Sequence, residues 1–146
     1  MTLIEPIPII AADFPKVVVP LVDSALYSID ILVFDWRFYP TQPANAVSLF
    51  NSAIVRATRR GVTVNALVNS EAILPTLRDM GCSAKVVHSK KLLHTKMMVV
   101  DGVNIVIGSH NYTQNAFCLN EEASVLIKMG ATDNDFVKYF AALWAV

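Results

Sequence analysis

Residues 93–127 read LHTKMMVVDGVNIVIGSHNYTQNAFCLNEEASVLI, a segment of apolar runs separated by polar residues and glycines. The Asp101-Gly102 pair is typical of a tight turn and separates two apolar runs. We therefore predict an antiparallel hairpin with strands Leu93–Val100 and Asn104–Ile107. The hairpin returns Ser109 and Asn111, which follow its second strand, toward the end where His94 lies, and this favours a site at its open end.

Outside this hairpin, hydrophobic periodicity predicts further helices and strands. The expected helices are Leu21–Tyr27 with Pro20 in the first turn, Ala46–Arg60, Ala72–Met80 and a last helix from about Asp133. The expected strands are Ile29–Phe34, Val62–Val68, Ala84–His88 and Ala123–Ile127. Strands that alternate with helices early and cluster late indicate an α/β fold, a mixed β-sheet flanked by helices. A length of 146 residues suits one domain, 1–146.

His94 and Lys96 lie two positions apart on the first predicted hairpin strand, and side chains alternate between the faces of a strand. The two side chains therefore emerge side by side, which places a nucleophile next to a positive charge, as attack on a phosphodiester requires. Asp101 points to the opposite face and sits in the turn, so we interpret it as structural. Asn111 and Ser109 can donate hydrogen bonds to a phosphoryl oxygen.

The spacing of these residues resembles the signature of the phospholipase D superfamily, HxKxxxxDxxxxxxGSxN followed by an acidic residue. It is carried by His94, Lys96, Asp101, Gly108, Ser109, Asn111 and, two positions after Asn120, Glu122. The resemblance implies a single phospholipase D-like catalytic domain in which His94, Lys96, Asn111 and Glu122 are catalytic. It also implies that the substrate is bound by Lys96, Ser109 and Asn111, while Asp101 and Gly108 keep structural positions.

Glu122 of the motif and three side chains outside it have the following expected positions. Glu122 is expected to accept a hydrogen bond from the far ring nitrogen of His94, which would fix the tautomer of the imidazole. The adjacent Glu121 is the alternative, because only one of two neighbours can face the site. His110 occupies a variable motif position and could either line the pocket or pack. His88 is interpreted as a strand-end residue.

The chain carries one copy of the motif, whereas members of the superfamily use two. One imidazole cannot both attack phosphorus and protonate the leaving oxygen in the same step. We therefore predict a two-fold homodimer with both His94 side chains in a shared cleft. By resemblance, one His94 forms a phosphohistidine and the other acts as general acid and then as base. No metal or other cofactor is expected, because the lysines supply the positive charge.

Net charge is zero, but the segment Arg56–Lys96 holds eight basic residues against two acidic ones. This segment favours a phosphate-bearing polymer, although a solvated helix face at Arg56–Arg60 is an equal alternative. The resulting hypothesis is a nuclease acting on DNA or RNA. The alternatives are a phospholipase D-type lipid phosphodiesterase and a non-catalytic nucleic-acid-binding module. Trp36, Arg37 and Tyr39 follow an apolar strand and are candidates to flank the cleft, with packing favoured for Trp36.

Hydrophobic residues make up 54% of the chain, and the mean hydropathy is +0.47. No apolar run approaches the roughly 20 residues that cross a bilayer, so we expect burial in a core and a subunit interface and no stable membrane anchor. The N-terminus lacks the features of a secretory signal, which favours a cytoplasmic protein. A separate alternative is that the chain is the catalytic domain of a longer protein in which specificity is carried elsewhere. Cys82 and Cys118 are expected to be plain thiols in apolar surroundings.

Overall fold

The computed structural model describes residues 5–146, whose seven strands form one sheet in the order β1-β7-β6-β5-β2-β3-β4. The strands are β1 Glu5–Ile10, β2 Ser28–Leu32, β3 Thr63–Val68, β4 Ser83–Val86, β5 Met97–Val100, β6 Asn104–Gly108 and β7 Ala123–Lys128. The helices are α1 Phe14–Ser24, α2 Ala46–Arg59, α3 Leu74–Asp79 and α4 Asp135–Trp144. The predicted α/β class, a mixed sheet flanked by helices, is confirmed.

The sheet joins a parallel half to an antiparallel half. Strands β2, β3 and β4 run parallel, and β5 then pairs antiparallel with β2, with Leu32 opposite Met97. The remaining pairs of β5 with β6, β6 with β7 and β7 with β1 are all antiparallel. In consequence, the ends of β2, β3 and β6 and the starts of β5 and β7 lie together along one edge of the sheet, the edge that runs across the strands.

Each face of the sheet carries its own hydrophobic cluster. On one face, α1 and α2 pack against the sheet, and Met98 and Val100 of β5 point into this cluster. On the other face, α4 contributes Phe140 to a smaller cluster that contains Met97 and Val99. Burial on both faces explains why the sequence of β5 is a continuous apolar run rather than an alternating one.

Two elements at the N-terminal end differ from the prediction. Helix α1 begins at Phe14 and continues through Pro20, which was expected in the first turn. Pro20 lies on the exposed side of this helix, where the carbonyl that loses its partner can be solvated. Strand β1 was not predicted, because Pro6 and Pro8 argue against a strand; both are tolerated at the edge of a sheet, where no N–H is needed on the outer side.

Strand β5 begins at Met97 rather than at Leu93, so His94 and Lys96 precede it on an irregular segment. Among residues 5–146, no helix is long and apolar enough to cross a membrane. Both cysteines are free; Cys82 is buried, with its pKa raised by burial to about 11, whereas Cys118 is exposed and not in the apolar setting expected for it.

Candidate active site

His94 and Lys96 lie next to each other at the edge of the sheet where β5 begins. The Lys96 ammonium Nζ is 3.1 Å from His94 Nδ1 and 3.3 Å from Nε2. The His94 ring is exposed, and the carbonyl of Lys96 accepts a hydrogen bond from the N–H of Gly108 at the end of β6. The side-by-side placement that strand alternation predicted is therefore present, although the segment is not a regular strand.

Asn69, at the carboxyl end of β3, ties this segment to the sheet. Its half-buried side-chain Nδ2 donates to the carbonyl of Leu93 at 2.9 Å and to that of Phe34 at 3.1 Å. One amide thus bridges the residue before His94 to the chain that leaves β2. Asn69 was not predicted from the sequence. The signal that could have identified it is an amide side chain directly after a buried parallel strand.

Phe34 forms the wall beneath the two candidate catalytic side chains. Its ring centroid lies 4.9 Å from that of His94, and Lys96 Nζ lies 5.6 Å from it. An ammonium over an aromatic face is attracted by the ring quadrupole. The ring therefore supports the imidazole and limits the positions that Lys96 can take.

Asn111 is oriented by the backbone of the neighbouring strand end. Its Oδ1 accepts a hydrogen bond from the N–H of Asp35 at 3.1 Å. The next residue, Tyr112, donates its N–H to the carbonyl of Asp35 and accepts from the N–H of Arg37, both at about this separation. With Oδ1 engaged, the Asn111 Nδ2 is the group left to donate to a ligand.

Glu122 contacts Ser109 rather than His94. The Ser109 hydroxyl donates to Glu122 Oε1 at 2.5 Å and accepts from the N–H of Ala123 at 3.0 Å, while Asn120 Nδ2 donates to Oε2 at 3.1 Å. Within the described chain, the expected bond between Glu122 and His94 is not formed; the carboxylate accepts hydrogen bonds from Ser109 and Asn120 instead. The Ser109 proton is thus committed to Glu122, and a contact of Ser109 with substrate stays a prediction.

Gly108 and Asp101 have clear packing reasons. A Cβ on Gly108 would clash with Ser124, including its backbone Cα, and would lie 2.6 Å from the carbonyl oxygen of Ala123. Asp101 has φ +54° and accepts hydrogen bonds from three consecutive backbone N–H groups, those of Leu26, Tyr27 and Ser28. The carboxylate therefore holds the connection between α1 and β2, away from His94.

The family model described as "Cardiolipin synthase, PLD-like domain" matches residues 18–144, nearly the whole chain with its motif. The chain belongs to the phospholipase D superfamily. Its fold is that of a solved phospholipase D family member, Nuc from Salmonella typhimurium, with 23% identity, a TM-score of 0.77 and coverage of 97% of this chain and 95% of that one. NucT from Helicobacter pylori is similar in fold as well, with 16% identity, a TM-score of 0.70 and coverage of 98% and 97%.

A curated relative, the 5'-3' exonuclease PLD3 of Xenopus tropicalis, is 29% identical in an alignment 141 residues long that covers 85% of this chain. The aligned part is 28% of that relative, so this phospholipase D-like chain spans less than a third of its length. The family predicted from the motif is confirmed.

His110 is a packing residue in this phospholipase D-like domain. It is 1% exposed and stacks on Phe14 at 4.3 Å between ring centroids. Its Nε2 donates to the carbonyl of Ala11 at 2.9 Å, so Nδ1 accepts from the Ser124 hydroxyl at 2.7 Å. Burial lowers its pKa, although the Ala11 carbonyl and the charge of Glu122 oppose the shift. His110 is therefore buried against Phe14 and does not line the site.

The residues that follow β2 divide between packing and exposure. Trp36 is buried and donates its Nε1–H to Asn51 at 2.8 Å, as the packing interpretation expected. The Tyr39 hydroxyl accepts from the N–H of Gln114 at 2.8 Å. Arg37 is exposed and bonds to Asp35 at 3.1 Å.

Half of the basic segment Arg56–Lys96 serves the fold itself. Four of its eight cations bond to parts of the protein outside the site: Arg56 to Asp23, Arg60 to carbonyls at the end of α1, Arg78 to the carbonyl of Ala84 and Lys85 to that of Trp144. Lys90 and Lys91 are exposed on the loop that precedes His94. Of the four remaining cations, Arg59 is exposed at the end of α2, whereas Lys90, Lys91 and Lys96 lie at the site or on the loop before it.

The half-buried ammonium of Lys96 has its pKa lowered by desolvation, and the nearby charge of Glu122 partly opposes this shift. Desolvation of a charge also strengthens its interaction with an anion. Among residues 5–146, no three His, Cys, Asp or Glu side chains come together as a metal-ligand set. Independence from metal stays a prediction.

Proposed function

We propose that this chain is a metal-independent phosphodiesterase that hydrolyses DNA or RNA through a phosphohistidine intermediate in a dimeric active site. The observation that carries the proposal is the exposed His94 imidazole with the Lys96 ammonium 3.1 Å from its Nδ1. An imidazole is a competent nucleophile toward phosphorus when an adjacent cation neutralises the phosphate oxygens. The Asn111 Nδ2 adds a neutral donor at the same edge of the sheet.

The reaction proceeds in two balanced displacements. A nitrogen of one His94 attacks phosphorus, the P–O bond to the leaving group breaks, and the leaving oxygen takes a proton from the second His94. Water then attacks the phosphohistidine, gives its proton to the second His94, and the P–N bond breaks to restore the first. Lys96 and Asn111 stabilise the non-bridging oxygens in both steps, where negative charge develops.

The dimer is supported by the side chains around the site. The motif supplies one histidine per chain, whereas in-line displacement needs an acid opposite the nucleophile. Leu92 is 71% exposed two residues before His94, and Leu119 is 72% exposed three residues before Glu122. Exposed apolar side chains that flank a site on two sides are typical of a protein interface. We propose that these two leucines are covered by the second copy.

Nucleic acid is the substrate favoured by the curated relative, which is an exonuclease, and by the exposed Lys90 and Lys91 on the loop that precedes His94. A lipid phosphodiester is the second candidate. It is favoured by the description of the matching family model and by the fold of phosphatidylserine synthase from Haemophilus influenzae, with 13% identity, a TM-score of 0.69 and coverage of 97% of this chain and 38% of that one.

The test is incubation of the purified chain with DNA, RNA and phospholipid vesicles in excess EDTA, with His94→Ala as the control. We expect nucleic acid to be cut at full rate in EDTA by the wild type alone. Activity that disappears in EDTA and returns only with a divalent cation would contradict the proposed chemistry. Cleavage of the phospholipid vesicles alone would agree with the proposed chemistry and show that the substrate is a lipid rather than a nucleic acid.

A further inference from the structure

A cavity of about 460 Å³ opens beside the candidate catalytic residues. It lies at the carboxyl ends of the parallel strands β2 and β3, where α/β sheets commonly bind ligands. Its walls include Phe34 and Asn69, the same two residues that contact His94 and the segment before it. A single aromatic ring thus separates the cavity from the imidazole.

The lining combines aromatic faces with fixed hydrogen-bonding groups. Phe34 is 36% exposed, and Phe38 also lines the cavity. Asp35 and Arg37 form an ion pair through the arginine Nε, and the Arg37 side chain remains 65% exposed. A charged pair in the wall disfavours an acyl chain, since apolar contact cannot replace the solvation of the charges. A nucleobase, in contrast, can stack on rings and on guanidinium planes while its edges form hydrogen bonds.

We propose that this cavity is the subsite for the nucleoside attached to the scissile phosphate. The inference rests on the proposed phosphodiesterase activity and extends it to a specific contact outside the motif. With the nucleoside in the cavity, its phosphate reaches His94 across the ring of Phe34. The volume suits such a group, because pockets for small organic ligands begin at roughly 300 Å³.

The test compares three phosphodiesters with the same leaving group: methyl p-nitrophenyl phosphate, thymidine 5′-(p-nitrophenyl phosphate) and thymidine 3′-(p-nitrophenyl phosphate). Wild type is expected to cleave at least one nucleoside ester with kcat/KM about tenfold above that of the methyl ester, the scale of one stacking contact. Equal rates on all three would overturn the subsite and leave the phosphodiesterase intact. Failure to cleave any of them would remove the proposed function and this inference with it.

Ala72→Trp fills the cavity from its rim, since the exposed Ala72 lines it. We expect this variant to lose the nucleoside advantage and to keep the methyl ester rate within about twofold, because the reacting groups are untouched. Glu71→Trp is the matched control, being exposed and adjacent but outside the lining. An unchanged nucleoside advantage in a folded Ala72→Trp, checked by thermal melting, would refute the assignment.

Arg37→Ala tests the polar side of the same subsite. It is expected to raise KM for the preferred nucleoside ester and to leave the methyl ester unaffected. Lys16→Ala is the charge-matched control. Lys16 lies on α1, pairs with Asp13 just before that helix and is outside the cavity. Equal effects of the two substitutions would show that net charge alone steers the substrate, which would overturn the role of Arg37.

Discussion

His94 and Lys96 are expected to be indispensable for different reasons, the first as nucleophile and the second as the charge beside it. His94→Ala and Lys96→Ala should each lower kcat by at least about a hundredfold, the scale of removing a nucleophile or a main charge stabiliser. Steady-state kinetics on a chromogenic phosphodiester measure the loss, and thermal melting confirms that both variants fold. A His94→Ala variant with substantial activity would mean that another group attacks phosphorus.

Asn69 is a positioning residue, because its amide bonds to the carbonyls of Leu93 and Phe34 rather than to any reacting atom. Asn69→Ala should lower kcat on methyl p-nitrophenyl phosphate about tenfold or more with KM nearly unchanged, since small misplacement of a reacting group costs rate rather than binding and this ester does not fill the cavity that Asn69 also lines. Asn65→Ala on the same strand is the control, as Asn65 bonds to Asp30 inside the sheet. Equal losses in both variants would assign Asn69 a structural role only.

At this scale, spacing alone could predict which residues gather but not every bond between them. Strand alternation placed His94 beside Lys96, and the contact between them has that arrangement. The predicted hydrogen bond between His94 and Glu122 is wrong for the single chain, because the Glu122 carboxylate accepts a hydrogen bond from Ser109 instead. That choice depends on the register of β6 against β7, which the sequence does not display.

The turn between β5 and β6 is the element whose failure should affect stability rather than chemistry. Asp101→Asn keeps one acceptor oxygen but loses the charge that three N–H groups share, so we expect a loss of about 2 kcal/mol, the scale of hydrogen bonds to a charged group. Thermal melting measures this change, and activity well below the transition should be near normal.

Asp23→Asn is the control for Asp101→Asn, because Asp23 forms an exposed ion pair with Arg56 that should contribute little. An Asp101→Asn variant that melts like wild type yet lacks activity would show that this aspartate acts in the reaction.

Elements whose burial is local were predictable, and those set by tertiary pairing were not. The periodicity of residues 46–60 predicted α2 within one residue, because its apolar stripe packs on the sheet. Strand β5 starts later than its apolar pattern suggests because its partner β2 ends at Leu32, opposite Met97. Strand β1 depends on pairing with β7, more than a hundred residues away in sequence. Its prolines argue against a strand, so the sequence did not predict it.

For the whole molecule, we predict a two-fold dimer whose interface surrounds the site. Leu119→Glu should give a monomer that folds but has lost activity by about a hundredfold, because the second His94 is removed from the cleft. Leu49→Glu is the control, since Leu49 is 52% exposed on α2 and outside the proposed interface. Light scattering at assay concentration decides the outcome: a fully active wild-type monomer would end the dimer hypothesis.

The two outermost strands of the sheet, β1 and β4, affect its tendency to aggregate. An exposed strand edge is a template on which further copies can add and grow into fibrils. Here one edge is β1, where Pro6 and Pro8 withhold N–H donors on alternate residues, and the other is β4, only four residues long and carrying Lys85. Open-ended addition of strands is therefore disfavoured even at high concentration. Association of this strongly apolar chain is instead expected through side-chain surfaces, which give closed oligomers such as a dimer.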